Sequence, residues 1–470
     1  MMTAQASALT LTRVAQMADG DLVVREMPAV ATEREAFLRR TVQGARIDSR
    51  AIQPGELFVP LKGAHIDGHE FLAAAFARGA AAALCARASY PRWEGREPGP
   101  LVVVDDVTES LQRLARRFRD EWQGFLIGLT GSAGKTTTKE LVAAALATGG
   151  EVLKTEGNLN NHWGVPLTLL RLKPEHRVAV VEMAMSGAGE IALLAAIARP
   201  EAAIVTGAGA AHLGGPGLGT LEGIAREKAS IALGLPPSGA VFAAADSPRL
   251  LDALRPMKRR LITYGLAPGA DVRSTSIVPL GEAGTRFEVT GFPPIRLRLV
   301  GRHQVGNALA ALAVAREYGL DPAAVAEALS RVRPLSQRME VRHAHGATLL
   351  VDCYNSNPDS ARAALETLAD WPEARRRIAV LGDMLELGPR TADLHREVGA
   401  AARGAELWLV GEHAGDYATG ARQAGQTARV FSDKPEVAAA LREAVGPGVV
   451  ALLKASRGVA LEDVLAGLED

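Results

Sequence analysis

Short apolar runs alternate with helix-periodic stretches along the whole chain, which is the pattern of α/β domains. Three such segments can be read. In the first, residues 57–59, 82–85 and 101–104 read as strands, 71–78 as a helix, and a further helix runs through Arg119. The Pro- and Gly-rich stretch 91–100 reads as a surface loop. The second segment opens with a strand over 125–129, passes through a glycine loop and continues into a helix from Lys135 to about Ala147. Residues 178–181 and 202–205 are unbroken apolar runs, as expected of parallel strands covered on both faces. A helix is expected over 221–233, a small β-rich insert over 279–294, and a helix over 307–318 leading out towards Pro334. The third segment reads as strand 348–351, helix 360–369, strand 378–381, helix 391–403, strands 407–410 and 449–453, and a final helix. This is a Rossmann-type alternation, but no G-x-G-x-x-G follows its first strand, so no dinucleotide site is expected there.

A chain of 470 residues is too long for one core and implies two to four domains. Apolar residues make up 48% and charged residues 23%, ordinary for a globular protein. The 53 basic and 53 acidic residues cancel, so nothing in the charge balance points to a nucleic-acid or membrane-surface partner. Only nine of the basic residues are lysine, which makes each lysine more informative. Cys85 and Cys353 are too few for a disulfide framework or a four-ligand zinc site, and a reducing cytoplasm fits. No basic segment followed by a long apolar run opens the chain, and stretches such as 71–77 and 141–147 are too short to span a bilayer. A soluble, cytoplasmic protein is expected.

The chemistry begins at Thr130-Gly131-Ser132-Ala133-Gly134-Lys135-Thr136, followed by Thr137. A strand feeds a loop of small residues, and Lys135 opens a helix. Backbone N–H groups and the helix N-terminus then face an anion, Lys135 neutralises it, and the Thr136 hydroxyl can ligate Mg²⁺. A full Walker pattern needs glycine at position 129, where this chain has Leu129. Glu182, at the C-terminal tip of a parallel strand, is placed to hold Mg²⁺; an ordinary strand-terminal acid is the plain alternative. His212 follows a glycine-rich turn, and Lys228 lies in a helical stretch where a solvated surface charge is the usual reading. Asn158, Asn160, Asn161 and His162 form a polar cluster before an apolar helix start, able to read a polar ligand or simply to make a turn. Asp352 and Asn355 fall at the C-terminal end of a strand, the ligand edge of an open α/β sheet. Asn357 or Asp359 can instead cap the helix beginning near Ser360. Cys353 reads as a small buried residue.

These residues together resemble one family, the Mur ligases of peptidoglycan synthesis, which join an amino acid or dipeptide to a UDP-muramoyl substrate at the expense of ATP. Residues 130–137 resemble the family's short T-G-x-x-G-K-T-T loop, Gly301-Arg302-His303 with Asn307-Ala308 its G-x-H-N-x-x-N-A segment, and Arg338 its arginine before the linker. Three stretches point to the member that joins D-alanyl-D-alanine to UDP-N-acetylmuramoyl-tripeptide. They are Gly157-Asn158-Leu159-Asn160-Asn161, Tyr354-Asn355-Ser356-Asn357-Pro358-Asp359-Ser360, and Gly382-Asp383-Met384-Leu385-Glu386-Leu387-Gly388.

The resemblance implies a three-domain α/β protein acting as a monomer. Its domains are a small UDP-sugar-binding domain (1–122), a central P-loop, NTPase-like parallel-sheet domain binding ATP (123–334), and a C-terminal Rossmann-like acceptor domain (335–470). Thr136, Glu182, His212 and a carbamylated Lys228 are expected at two Mg²⁺ ions. Asn307 is expected at adenine, Asp352 at the ribose, and Lys135 and Arg338 at the phosphates. Ser49, Arg50 and Lys62 are expected at the UDP part. Asn158, Asn160, Asn161, Tyr354, Asn355, Asn357, Ser456 and Arg457 are expected at the remaining substrate groups. The chain departs from the family pattern at Gln304, at Thr206-Gly207-Ala208-Gly209 and at Ala455. A nucleotide-switched binding protein, hydrolysing ATP without forming an amide, is the competing class.

Overall fold

The computed structural model describes residues 8–63, 65–466 and 468. Among the described residues the strands form three sheets of five, nine and six strands. The first is built from Asp21–Val23, Leu101–Val104, Ala82–Ala86, Leu57–Phe58 and Ala45–Arg46 in that spatial order, with only Asp21–Val23 antiparallel. The helix Val107–Glu121 packs over it, its first turn fixed by the Asp106 carboxylate accepting from Glu109 N at 2.8 Å.

The central sheet explains where a ligand can sit. The strand Phe125–Thr130 lies between Val178–Glu182 and Ala202–Val205, all three parallel. The chain leaves Phe125–Thr130 for the edge strand Val152–Lys154 and returns through Val178–Glu182. It then crosses to the other side of Phe125–Thr130. That reversal opens a crevice at the C-terminal end of Phe125–Thr130. The helix Arg302–Glu317 buries Ala308 to Ala315 against the helix Lys135–Leu146 and the sheet behind it.

The third sheet runs Glu340–Ala344, Ala347–Asp352, Val449–Lys454, Arg376–Leu381, Glu406–Leu409, Ala428–Val430, parallel except for the antiparallel Glu340–Ala344. Asp352 and Lys454 are register partners, so their loops emerge side by side. One apolar cluster continues through all three segments, from Leu114 through Val165 and Leu213 to Met384 and Leu387. Cys85 and Cys353 are both buried free thiols.

Several expectations need correction. The β-rich insert over 279–294 is the middle of a longer antiparallel meander, Val272–Pro279, Thr285–Val289 and Ile295–Leu297, that extends the edge of the central sheet. Its Pro and Gly residues mark the turns, and its strands are half-covered, so they carry no unbroken apolar run. The helix expected from 307 starts five residues earlier, at Arg302. The helix expected over 221–233 is α-helical only over Leu221–Ala229 and tightens to 3₁₀ at Ser230–Gly234, just before Pro236. In place of the final helix there are two 3₁₀ turns, Arg457–Val459 and Leu461–Leu465.

Candidate active site

The glycine loop leaves its strand at Thr130 and enters the helix at Lys135. Gly131 and Gly134 take φ of +155° and +76°, and a Cβ on either would collide, with Thr206 Oγ1 and with Asn307 Oδ1 respectively. The loop is therefore clasped from two sides. Thr206 Oγ1 donates to Ala133 O at 2.5 Å, Ser132 N to Gly207 O at 3.1 Å, and Ser132 Oγ to Gly209 O at 3.0 Å. Lys135 Nζ, with no anion beside it, donates to Gly131 O at 2.8 Å. Burial lowers the Lys135 pKa; Glu182 opposes that shift and Arg338 adds to it, so both charges bear on the loop.

Glu182 is 1% exposed and stands in register with Leu129, beside the loop. Its Oε1 accepts from Asn160 Nδ2 at 2.9 Å and from Thr136 Oγ1 at 3.4 Å, whereas Oε2 is buried without a hydrogen-bond partner. The backbone beneath is held by Thr155, whose Oγ1 accepts from Glu182 N at 2.9 Å and whose carbonyl accepts from Lys139 Nζ at 2.6 Å. Lys228 is also 1% exposed. Burial, then the charge of Lys135, pushes its pKa well below the ordinary lysine range. Neighbouring Glu227 raises it only in part, because that carboxylate is spent on Gly189 N and Ile191 N, both at 2.8 Å.

The asparagine cluster divides. Asn160 holds Glu182, Asn161 Oδ1 caps the helix Gly164–Leu169 through Trp163 N and Gly164 N, and Asn158 is exposed. Asn307 is the hub of the adenine-side expectation: its Oδ1 accepts from Thr138 Oγ1 at 3.1 Å and its Nδ2 donates to Gln304 Oε1 at 2.8 Å.

Across the crevice, Asp352 Oδ2 pairs with the buried Lys454 Nζ at 2.9 Å, and Lys454 also donates to Asn355 O at 2.5 Å. Asp352 Oδ1 accepts from Met339 N at 3.2 Å. Arg338 Cζ lies 3.8 Å from the Tyr354 ring centroid and Arg457 Cζ 5.3 Å from it. Asn357 caps the helix Pro358–Ala369 with a reciprocal bond to Ser360, so the capping reading holds for it. Its Nδ2 also donates to Ser132 O at 3.3 Å, tying this helix to the phosphate loop. Ser456 Oγ donates to Ser356 O at 3.2 Å and accepts from Leu385 N at 2.9 Å.

His212 faces the third segment, its Nδ1 2.5 Å from Glu386 Oε2 and both residues at positive φ. Its pairing is not with Glu182 or Lys228. On the first segment, Arg50 pairs with Asp48 at 2.9–3.0 Å, Ser49 is buried and Lys62 is exposed. Thr155, Thr206 and Glu227 act through contacts far apart in sequence, and no local pattern singles them out.

The profile described as "Mur ligase family, catalytic domain" matches residues 41–119, "Mur ligase middle domain" residues 129–315, and "Mur ligase, glutamate ligase domain" residues 337–457. The UDP-N-acetylmuramoyl-tripeptide–D-alanyl-D-alanine ligase of Bacillus subtilis (strain 168) is 34% identical over 457 residues, 95% of this chain and 97% of that protein. The chain belongs to the Mur ligase family. A crystal structure of MurF from Acinetobacter baumannii superposes with a TM-score of 0.85 at 28% identity, covering 98% of this chain and 99% of that one. The MurF ligase from Thermotoga maritima in complex with ADP gives 0.77 at 28% identity, covering 90% and 96%.

The departures from the Mur ligase pattern have structural reasons. Gln304 is buried and supplies the acceptor that orients Asn307. Thr206 clasps the loop from the position of an asparagine-containing run. The Ala455 methyl packs against Gly382, where only a residue without a side chain leaves room. Two of the residues expected at a divalent cation suit one: Glu182 Oε2 is a hard oxygen donor buried without a partner, beside the Thr136 hydroxyl. Among the described residues no three His, Cys, Asp or Glu side chains converge, so substrate or water oxygens must complete any such shell.

The motif histidine makes a pH prediction. Burial lowers the His303 pKa from 6.5 to about 4, and its Nδ1 has no partner; Asp352 opposes the shift and Lys454 assists it. The unfolded chain therefore binds the extra proton between those pH values, so the stabilising contribution is present above pH 6.5 and lost as pH falls towards 4. Denaturant titrations should show about 3 kcal/mol lost across that window. The loss should be clearly smaller in His303→Gln; equal slopes would rule the histidine out as the cause.

Proposed function

We propose that the chain joins D-alanyl-D-alanine to UDP-N-acetylmuramoyl-tripeptide, converting ATP to ADP and phosphate, in the cytoplasmic synthesis of peptidoglycan precursors. Two things carry this reading: the name of relatives aligned over nearly the whole chain, and a phosphate loop with Lys135 at the sheet's reversal point. Domains 1–122, 123–334 and 335–470 then hold the UDP-sugar, ATP and the acceptor, with Ser49, Arg50 and Lys62 on the first. We read the chain as a cytoplasmic monomer; among the described residues no helix is long and apolar enough to cross a membrane.

A carboxylate is a poor electrophile, so the tripeptide's terminal carboxylate attacks the γ-phosphate of ATP and becomes an acyl phosphate. Lys135 and Arg338 stabilise the charge spread over the transferring oxygens. Thr136 and Glu182 would hold one Mg²⁺, and His212 with a carbamylated Lys228 a second, which when bound neutralise phosphate charge. Asn307 positions adenine and Asp352 the ribose. Asn158, Asn160, Asn161, Asn355, Asn357, Ser456 and Arg457 line the path of the peptide groups. The acceptor's neutral amine attacks the acyl carbon, a tetrahedral intermediate forms, and phosphate leaves. Packing of the third domain over the loop, through Asn357 and Ser132, excludes water that would hydrolyse the acyl phosphate.

A panel of acceptors assayed by phosphate release tests the assignment. Turnover is expected only with D-alanyl-D-alanine and the UDP-muramoyl-tripeptide together, with a new amide detected by mass spectrometry. Release with a glutamate acceptor, or steady ATP hydrolysis with neither substrate, would replace this reading with a folylpolyglutamate synthase or a nucleotide switch.

A further inference from the structure

Arg338 belongs by sequence to the third segment, yet its charge is felt at Lys135 in the phosphate loop. A long, flexible side chain reaching across a domain junction needs something to hold it. Its backbone is held tightly. Gln337 and Met339, on either side, both take left-handed φ, +56° and +55°, a strained conformation for non-glycine residues that surrounding bonds must enforce. They do so: Gln337 N donates to Glu340 Oε2 at 2.8 Å, Gln337 Nε2 to Glu462 Oε1 at 3.0 Å, and Met339 N to Asp352 Oδ1 at 3.2 Å. Tyr354 N donates to Gln337 O at 3.1 Å, which brings the tyrosine to the same place.

The guanidinium, by contrast, makes no hydrogen bond or ion pair among the described residues. What it has is the face of Tyr354, 3.8 Å from Cζ to ring centroid. A cation over an aromatic face is attracted by the ring quadrupole while its N–H donors stay free for an anion. The Tyr354 hydroxyl likewise makes no hydrogen bond among the described residues. The ring, not the hydroxyl, is the working part. Arg457 Cζ is farther from the same centroid, at 5.3 Å, so the close contact is with Arg338.

We propose that Tyr354 is a positioning residue whose ring holds the Arg338 guanidinium, its donors free, against the phosphate loop, and that it does not read the acceptor. This revises the sequence-based expectation that Tyr354 binds substrate, and it rests on the reading that Arg338 meets the phosphates of ATP. The consequence is a loss confined to the chemical step: without the ring, Arg338 samples orientations that miss the transferring oxygens, while the acceptor site is untouched.

Steady-state kinetics by phosphate release on Tyr354→Leu, Tyr354→Phe, Arg338→Ala and the Tyr354→Leu/Arg338→Ala double variant test this. Tyr354→Leu is expected to lower kcat about 10-fold, between what an exposed and a desolvated cation–π contact are worth, since both side chains are half-buried. KM for D-alanyl-D-alanine should stay within about 2-fold of wild type. Tyr354→Phe should recover most of the loss, and Tyr354→Leu should cost nothing further once Arg338 is gone. The proposal is overturned if KM for D-alanyl-D-alanine rises with kcat unchanged, if phenylalanine behaves like leucine, or if the two losses multiply in the double variant. An Arg338→Ala enzyme as fast as wild type would instead remove the phosphate role of Arg338, and the proposal with it.

Discussion

Lys135→Ala is expected to lower kcat about 10³-fold, the cost of deleting one preorganised donor aimed at developing charge. The lysine sits at the first turn of a helix whose N-terminus already faces the anion site, so the deletion removes the mobile charge and leaves the backbone cradle intact. ATP should still bind, more weakly, and the rate should collapse. Lys135→Arg is expected to do little better: the loop is closed by Thr206 and Asn307, and a planar guanidinium cannot replace a compact ammonium there. The fold should survive. Burial lowers the Lys135 pKa, so its charge opposes folding and its removal does not destabilise. Phosphate release at saturating substrates gives the rate, and a thermal melt the control. A loss under about 10-fold with an unchanged melting temperature would mean that the γ-phosphate is held elsewhere.

The phosphate loop is legible in sequence because its chemistry is local. A strand, two glycines at positive φ and a lysine opening a helix all lie within twelve residues, and each has a steric or electrostatic reason to be there. The fully covered strands are legible for the same reason, since Val178–Glu182 and Ala202–Val205 carry their burial in their composition. The edge meander is less legible because its strands alternate buried and exposed residues over only a few positions, and the 3₁₀ turn Leu461–Leu465 buries Leu461, Val464 and Leu465 at helical spacing, so it reads as an α-helix.

The connections between distant parts were harder to see. Asn160 and Asn161 are neighbours of one type, yet the first holds Glu182 and the second caps a helix; only the fold separates those tasks. Gln304 looks like a defect in the motif until its amide oxygen is found orienting Asn307. His212 and Glu386 are 174 positions apart, and nothing at either position encodes the other. Yet they form a hydrogen-bonded pair across the junction, where burial is incomplete and hydrogen bonding to the histidine holds the Glu386 carboxyl below its ordinary pKa. The buried polar atoms left without a partner point the same way. Of six among the described residues, Thr130 Oγ1, Glu182 Oε2, His303 Nδ1 and Ser356 Oγ belong to the loop, strand-end and motif residues of the site, and Arg171 Nη1 and Glu462 Oε2 lie outside those. An unsatisfied buried group costs roughly 1–3 kcal/mol, so their concentration there is what a site completed by ligand oxygens and donors requires.

Lys228→Ala is expected to lower turnover about 10²–10³-fold and to be partly rescued by millimolar formate or acetate. A solvated surface lysine would be nearly silent. This one is 1% exposed, and its pKa is lowered by burial and by the charge of Lys135. A lowered pKa makes the neutral amine easier to reach, and that is the form that adds to carbon dioxide: the nitrogen lone pair attacks carbon, the ammonium proton passes to solvent, and a carbamate anion results. The product is more at ease than the amine, because the adjacent Lys135 then faces a negative group in place of a second cation. Two predictions separate this from a purely structural lysine. Wild-type enzyme stripped of bicarbonate should slow and recover when bicarbonate is returned, and Lys228→Ala should respond to a short carboxylate while ignoring bicarbonate. Lys228→Ala at wild-type speed would end any role for the side chain. An inactive variant that no carboxylate restores, beside a wild type indifferent to bicarbonate, would leave Lys228 as a packing residue and end the carbamate.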